Sequence, residues 1–221
     1  AHYNTNIPVA LSEIGQIELI RGPASTSYGA DAVGGIVHIK TKTYLRKEVK
    51  GGNQLSARSS ANLSAGQHNL KTLDATAGIS KKNFRFSTSF RTAQSDGERF
   101  SNPAFSQGAS QDKTYHSYFE VTNLSAAASL NFADYWSWYV RTGLEKRDFN
   151  ARYFYTRSIY DASTEQISSR WALSSLTRER GNHRTEISAS FRNMDDTFDF
   201  NPAISPANKH ETNFVYAKAS H

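Results

Sequence analysis

The chain has no cysteine and a single methionine among 221 residues. Without cysteine there is neither a disulfide framework nor a thiolate metal site. Long hydrophobic runs are missing too. No apolar stretch approaches the roughly 18–20 residues that a membrane-crossing helix needs, and mean hydropathy is −0.62. That excludes a helical membrane protein. It leaves open a transmembrane barrel, whose strands need only about 9–11 residues and are apolar on one face. Charge of one sign is only mildly in excess. The net charge is +6, the bases are scattered with no run of five, and no nucleic-acid partner is expected. The first residues, AHYNTNIPVA, have neither the basic head nor the apolar core of a secretory signal. The last, FVYAKASH, stop inside an alternating segment. A fragment at both ends is expected.

Aromatics are plentiful, with 11 Tyr and 13 Phe, and together with the many hydroxyl residues they favour strands. From about residue 51 the chain alternates with period two. Leu55–Ala65 places Leu55, Ala57, Ala61 and Leu63 on one face and Arg58 and Asn62 on the other. Leu73–Ser80 sets Leu73, Ala75, Ala77 and Ile79 against Asp74. Phe84–Thr92 sets Phe84, Phe86 and Phe90 against Arg85 and Arg91. Leu124–Phe132 continues the pattern. Trp138–Leu144 opposes its apolar row to Arg141, and 187–191 opposes Ile187, Ala189 and Phe191 to Glu186 and Arg192. In 167–173 the same reading puts Ile167, Trp171 and Leu173 on the apolar face and Arg170 on the polar one. An eighth segment, Thr212–Ser220, is strand-like without an assignable face. Such repetition argues for half-buried strands. The apolar faces form the core of a soluble sandwich or the lipid-facing surface of a barrel, and alternation alone does not choose.

The connectors help to choose. With the first strand running outward, 81–83, 133–136 and about 179–184 fall on one rim and are short. About 94–116, 150–165 and 194–211 fall on the other and are long. Short turns on one rim and long loops on the other is the organisation of bacterial outer-membrane barrels; the short connector at 66–69 is the exception. Tyr135, Trp136, Trp138 and Tyr139 cluster at one end of a long strand and Tyr153, Phe154 and Tyr155 at the other, as two aromatic girdles require. Packed core aromatics are the plain alternative.

One stretch is different: IELIRGPASTSYGADAVGGIVHIKTK, residues 17–42. Two short apolar runs, Ile17–Ile20 and Ile36–Ile39, flank Gly22, Pro23, Gly29, Gly34 and Gly35. The pattern reads as a strand, a tight turn, a loop and a return strand, with little core of its own. Its spacing of Ile17, Glu18, Arg21, Gly22, Pro23, Ser25, Tyr28, Gly29, Gly34, Gly35, Ile39 and Lys42 closely resembles the end of the plug domain of TonB-dependent outer-membrane receptors.

That resemblance implies a mainly β fold: part of a 22-stranded antiparallel transmembrane β-barrel with the end of an N-terminal α/β plug. Residues 1–45 would be the last part of the plug and 46–221 about the first eight strands. The resemblance also implies that Glu18 and Arg21 pair with charges of the wall, that Tyr28 faces the ligand vestibule, and that Gly22, Pro23, Gly29, Gly34 and Gly35 shape the backbone. Lumen-facing charges would be Arg58, Asp74, Arg85, Arg91, Arg141, Arg170, Glu186 and Arg192. The implied partners are TonB, outer-membrane lipid and a large ligand such as a ferric siderophore or cobalamin.

YGADAVGG lacks both phosphate-loop spacings. The seven histidines are dispersed, and no G-x-S-x-G signature occurs, so no cofactor, metal or enzyme activity is expected. Asp195, Asp196 and Asp199 are read first as a solvated loop and second as a cation or substrate site. The expectation is an energised importer of a scarce large ligand, most specifically a ferric siderophore. A soluble lectin- or adhesin-like module and a passive porin are the alternatives.

Overall fold

The computed structural model describes residues 9–22, 34–46 and 52–221. Pro23, Tyr28 and Gly29 lie outside the described residues. A 3-10 turn at Leu11–Glu13 leads into a hairpin of β1 (Ile14–Arg21) and β2 (Gly35–Thr41), which pair antiparallel. A one-turn helix, Lys42–Leu45, follows, with Thr41 accepting from the Tyr44 amide as its cap.

The rest is one large sheet. Its strands are β3 (Ser56–Ala65), β4 (Lys71–Lys81), β5 (Phe84–Ser95), β8 (Phe119–Phe132), β9 (Trp136–Asn150), β10 (Thr164–Arg180), β11 (His183–Asp199) and β12 (Asn208–Ser220). The two short strands β6 (Arg99–Ser101) and β7 (Thr114–His116) pair with each other inside the connection from β5 to β8. The large sheet is an eight-stranded antiparallel meander with β3 and β12 at its edges. All eight alternating segments of the sequence are strands of this sheet.

Burial is inverted relative to a soluble sandwich. The face carrying Phe86, Leu124, Leu130, Trp138, Leu144, Ile187 and Phe191 is the exposed one; Leu144 keeps 58 % of its surface. The opposite face buries Asp74, Ser87, Ser89, Asn123, Ser125, Arg141 and Glu145, and the segments on either side of the β1–β2 hairpin, Leu11–Glu13 and Lys42–Leu45, lie against it. The apolar rows therefore do not meet each other across an interior, as a sandwich core requires.

The exposed face is banded. Along β9 it runs Trp136, Trp138, Val140, Thr142 and Leu144, then turns polar at Lys146 and Asp148. At about 3.4 Å per residue the apolar part spans about 27 Å along the strand. β8 changes at the same level in register, Leu124 giving way to Thr122, whereas β11 and β12 change one pair earlier, Phe191 to Asn193 and Val215 to Asn213. Beyond the band, Arg170 donates to Asn193 at 2.9 Å, and Asn193 to Glu211 at 2.9 Å.

Three expectations need correction. First, β10 faces the other way. Its register sets Leu173 opposite Arg141 and Trp171 opposite Gly143, so Ile167, Trp171 and Leu173 share the inner face. Arg170 is on the outer face with 66 % of its side chain exposed, 3.6 Å from Asp195. Gly143 is the reason Trp171 fits: a Cβ there would lie 2.5 Å from the Trp171 ring. Second, the strands outrun their apolar bands, and much of the expected loop at 194–211 is strand. Asp195 and Asp199 point to one side of β11 and Asp196 to the other, so the three do not converge. Third, β12 has definite faces. Phe214, Tyr216 and Lys218 lie on the inner side with Arg192, Ser190 and Ser188, and Val215 and Ala217 on the outer.

Candidate functional site

The site is the seam where the N-terminal segment is fastened to the inner face of the sheet. The period-two pattern delivers small hydroxyl residues to that face, and these leave room for the segment while offering hydrogen bonds. Asp74 in β4 receives the backbone N–H groups of Leu11 at 2.6 Å and Ser12 at 2.9 Å. A carboxylate at the start of a helical turn satisfies donors that the turn itself leaves over. The Ser12 and Thr76 hydroxyls lie 2.8 Å apart.

Next in the chain, Glu13 is buried and grips Arg141 of β9 with both oxygens. Arg141 Nη1 donates to Oε1 at 2.8 Å and Nη2 to Oε2 at 2.6 Å. Ser89 donates to Oε2 at 2.8 Å and Ser87 to Oε1 at 3.3 Å. Arg141 also reaches Ser125 at 2.9 Å and lies over the Trp171 ring at 5.5 Å. Bidentate geometry and serines on the spare lone pairs are what a buried pair needs to offset desolvation. Removing one partner of such a pair costs about 3–5 kcal/mol.

Past the hairpin, the chain is tied down again. The Thr43 and Ser87 hydroxyls are 2.8 Å apart, Tyr44 packs edge-on to Tyr139 at 5.3 Å, and Arg85 donates to the Arg46 carbonyl at 2.6 Å. Fastening points thus run from β4 through β5 and β8 to β9. Towards β10–β12 the hairpin and sheet separate, leaving a cavity of about 530 Å³ whose lining includes His38, Tyr44, Tyr139, Trp171, Glu186 and Tyr216.

The sequence-predicted residues divide accordingly. Asp74, Arg85 and Arg141 lie in the seam. Glu186 lines the cavity and accepts from Ser175 at 3.0 Å. Arg192 is on the inner face and donates to Ser169 at 3.3 Å. Arg91 is half-buried between Asp74 and Asn123 in register. Arg58 is exposed on the edge strand β3, on the same face as Gly78. Glu18 meets no charge of the sheet among the described residues. It bonds within its own hairpin, to Lys40 at 2.6 Å and His38 at 3.3 Å, and the Lys40 ammonium holds its carboxyl below the usual range. Arg21 closes β1 opposite Gly35 and is exposed, and Gly22 follows it. Gly35 has φ +141°, and a Cβ there would lie 2.6 Å from the Ile20 carbonyl, so only glycine serves. Gly34 is exposed with open space around it.

Glu13 is the functional residue that sequence reading missed. The available signal was Arg141 itself: a base in the middle of a strand whose other face is apolar must find its counter-charge off the strand.

On the long-loop rim, Phe100, Tyr115 and Tyr153 form one chain of ring contacts, and Phe149, Phe154, Tyr155 and Phe198 another, at 5.4–6.3 Å. Tyr155 donates to Glu165 at 2.7 Å. Burial and the neighbouring Asp148 push the Tyr118 phenol up to about 12. Among the described residues no group of three or more acids and histidines is arranged to hold a metal.

No family model matches the chain. A local similarity does exist. Over 28 residues, 13 % of this chain, it is 61 % identical to the vitamin B12 transporter BtuB of Vibrio vulnificus (strain YJ016). The match spans 5 % of that transporter.

Proposed function

We propose that this chain is part of a TonB-dependent outer-membrane importer, with residues 1–45 ending a plug and 46–221 contributing about eight strands to the barrel wall. The observation that carries this reading is the inversion of the sheet: apolar side chains face outward while charged and hydroxyl side chains are buried against an inserted hairpin. A lipid-facing wall around a polar lumen has that arrangement. The band length agrees. About 27 Å along a strand tilted by roughly 40° gives about 20 Å across the bilayer, near the apolar height of known barrels. Closing the wall takes further strands, because open edges in lipid would leave backbone groups unpaired; the 22-strand count rests on the family resemblance.

In this reading the seam is a latch. Glu13, Asp74 and Arg141 hold the plug to β4–β9, and a pull on the plug from the periplasm by TonB, drawing on the inner-membrane proton gradient, disturbs it. The large ligand is a ferric siderophore or a corrinoid. The similarity to a vitamin B12 transporter supports the corrinoid, and the family resemblance the siderophore. The hairpin against the inner face argues against a passive porin.

The test is uptake by the full-length protein. Cells expressing it, with and without TonB, are given radiolabelled cobalamin and iron-labelled siderophores of several chemical types. Uptake of one ligand in the TonB-positive host alone is the expected result. TonB-independent entry, or recovery of the protein in the aqueous phase on membrane fractionation, overturns the reading.

A further inference from the structure

We infer that the short-turn rim carries a binding site for an anionic glycerophospholipid, with the phosphate in a basic pocket and the acyl chains along the outer face of β8–β11. The inference rests on the outward-facing apolar wall proposed above. The pocket, of about 150 Å³, is lined by Arg178, Arg180, His183, Thr185 and His221. It contains basic groups and a hydroxyl and no acid. Register explains the sorting. Arg178 pairs with Thr185 and Arg180 with His183, so these four share the outer face. The acids of the same stretch alternate to the other side, where Arg184 takes Glu179 at 3.8 Å and Glu186 at 3.2 Å. Nothing acidic is left to neutralise the pocket from its own strands.

The pocket adjoins apolar surface. One step along β10 from Arg178 on the same face is Leu176, opposite Trp138 and Ile187. Leu176, Trp138, Leu130, Phe132 and Ser174 line a shallow groove. Aromatic rings flank the boundary: Arg178 lies over Trp136 at 5.8 Å and Arg180 over Tyr135 at 5.4 Å. A guanidinium stacked on a ring keeps its in-plane N–H donors free for a phosphate. Thr185 and His221 hydrogen-bond at 2.7 Å and close the far side. Charge below and grease above, joined by an aromatic belt, match one amphiphile better than a free anion.

The test uses the full-length protein in bilayers of phosphatidylcholine with a minority of phosphatidylglycerol, the bromine label being placed on the chains of one lipid or the other. Tryptophan quenching then reports the relative binding constant beside Trp136 and Trp138. Phosphatidylglycerol is expected to be preferred, and the preference to fall roughly fivefold for each arginine in Arg178→Gln and Arg180→Gln. The charge-keeping pair Arg178→Lys and Arg180→Lys should retain most of it, which separates lost charge from misfolding. Equal quenching by both lipids, or an undiminished preference in the double Gln variant, overturns the site while leaving the membrane reading intact. Loss of the preference in millimolar inorganic phosphate assigns the pocket to a free anion and also overturns it. A protein that enters no bilayer overturns both.

Discussion

The two faces of the sheet are made by the same eight strands, yet they obey opposite rules. On the inner face, at the seam, charge is buried and answered by polar partners: Asp74 by two backbone amides, Glu13 by a guanidinium and two serines. On the outer face the central band is mostly apolar and has no partner layer among the described residues, and charge stands at its edges, at Arg178 on one side and at Arg170, level with Leu144, and Lys146 on the other. In water the outer face would be the costly one, since so large a continuous apolar surface is unusual for a soluble monomer. The inner face would be costly in oil. The difference is the one that the proposed wall requires, with lipid on one face and a polar interior on the other.

The contrast breaks most severely at the latch. Glu13→Ala leaves Arg141 buried without its counter-charge. It should cost about 3–5 kcal/mol of docking free energy for the N-terminal segment, read as lost hydrogen-exchange protection from Leu11 through Arg21 in the full-length protein. On the outer face, Phe86→Arg tests the solvent directly. A residue exposed to water should tolerate arginine almost freely, whereas one facing the middle of a bilayer should lose about 2–4 kcal/mol in refolding titrations into lipid. Gly143→Ala probes the tight side. The added methyl meets Trp171 at 2.5 Å and the Leu124 carbonyl at 3.0 Å, and overpacking of that kind costs about 1–3 kcal/mol in chemical denaturation. The smallest effect is at Glu18. Its carboxyl titrates below the ordinary value of 4.5 because of Lys40. Its support for the hairpin is therefore present above about pH 4.5 and lost as pH falls through the lowered value. Exchange protection in β1, taken relative to the intrinsic rate at each pH, should fall over that acid range in the native protein and not in Glu18→Gln.

Much of this was legible beforehand, for a reason the two faces make plain. Where opposite sides of a strand have opposite polarity, period two is written strongly, and all eight strands of the large sheet are recognisable as strands. Legibility failed where that condition lapsed. Ile167, Trp171 and Leu173 are apolar yet point inward, Trp171 and Leu173 because Gly143 and the cavity beside the hairpin accept them, so the pattern of β10 reads inside out and Arg170 with it. Past the apolar band the outer side of β11 turns polar while its inner side mixes Met194, Asp196 and Phe198, so period two fades and the end of the strand, with Asp195, Asp196 and Asp199, reads as loop. Within the glycine-rich unit, Glu18 was marked as the anchor by resemblance, while the buried carboxylate is Glu13, five residues earlier, a role decided by a partner on a distant strand that local pattern cannot reveal.

That distance bears on the order of assembly. Each neighbouring pair in the wall is also consecutive along the chain once the β6–β7 excursion is set aside, so the sheet can be laid down one hairpin at a time at low entropic cost. The latch breaks this economy: Glu13 and Arg141 are 128 residues apart. Until β9 has been added, the carboxylate has no guanidinium to meet, and the leading segment is held by β4 and β5 alone. A nascent chain therefore completes this ion pair late, and any pause before β9 leaves Glu13 with its two serines and no counter-charge.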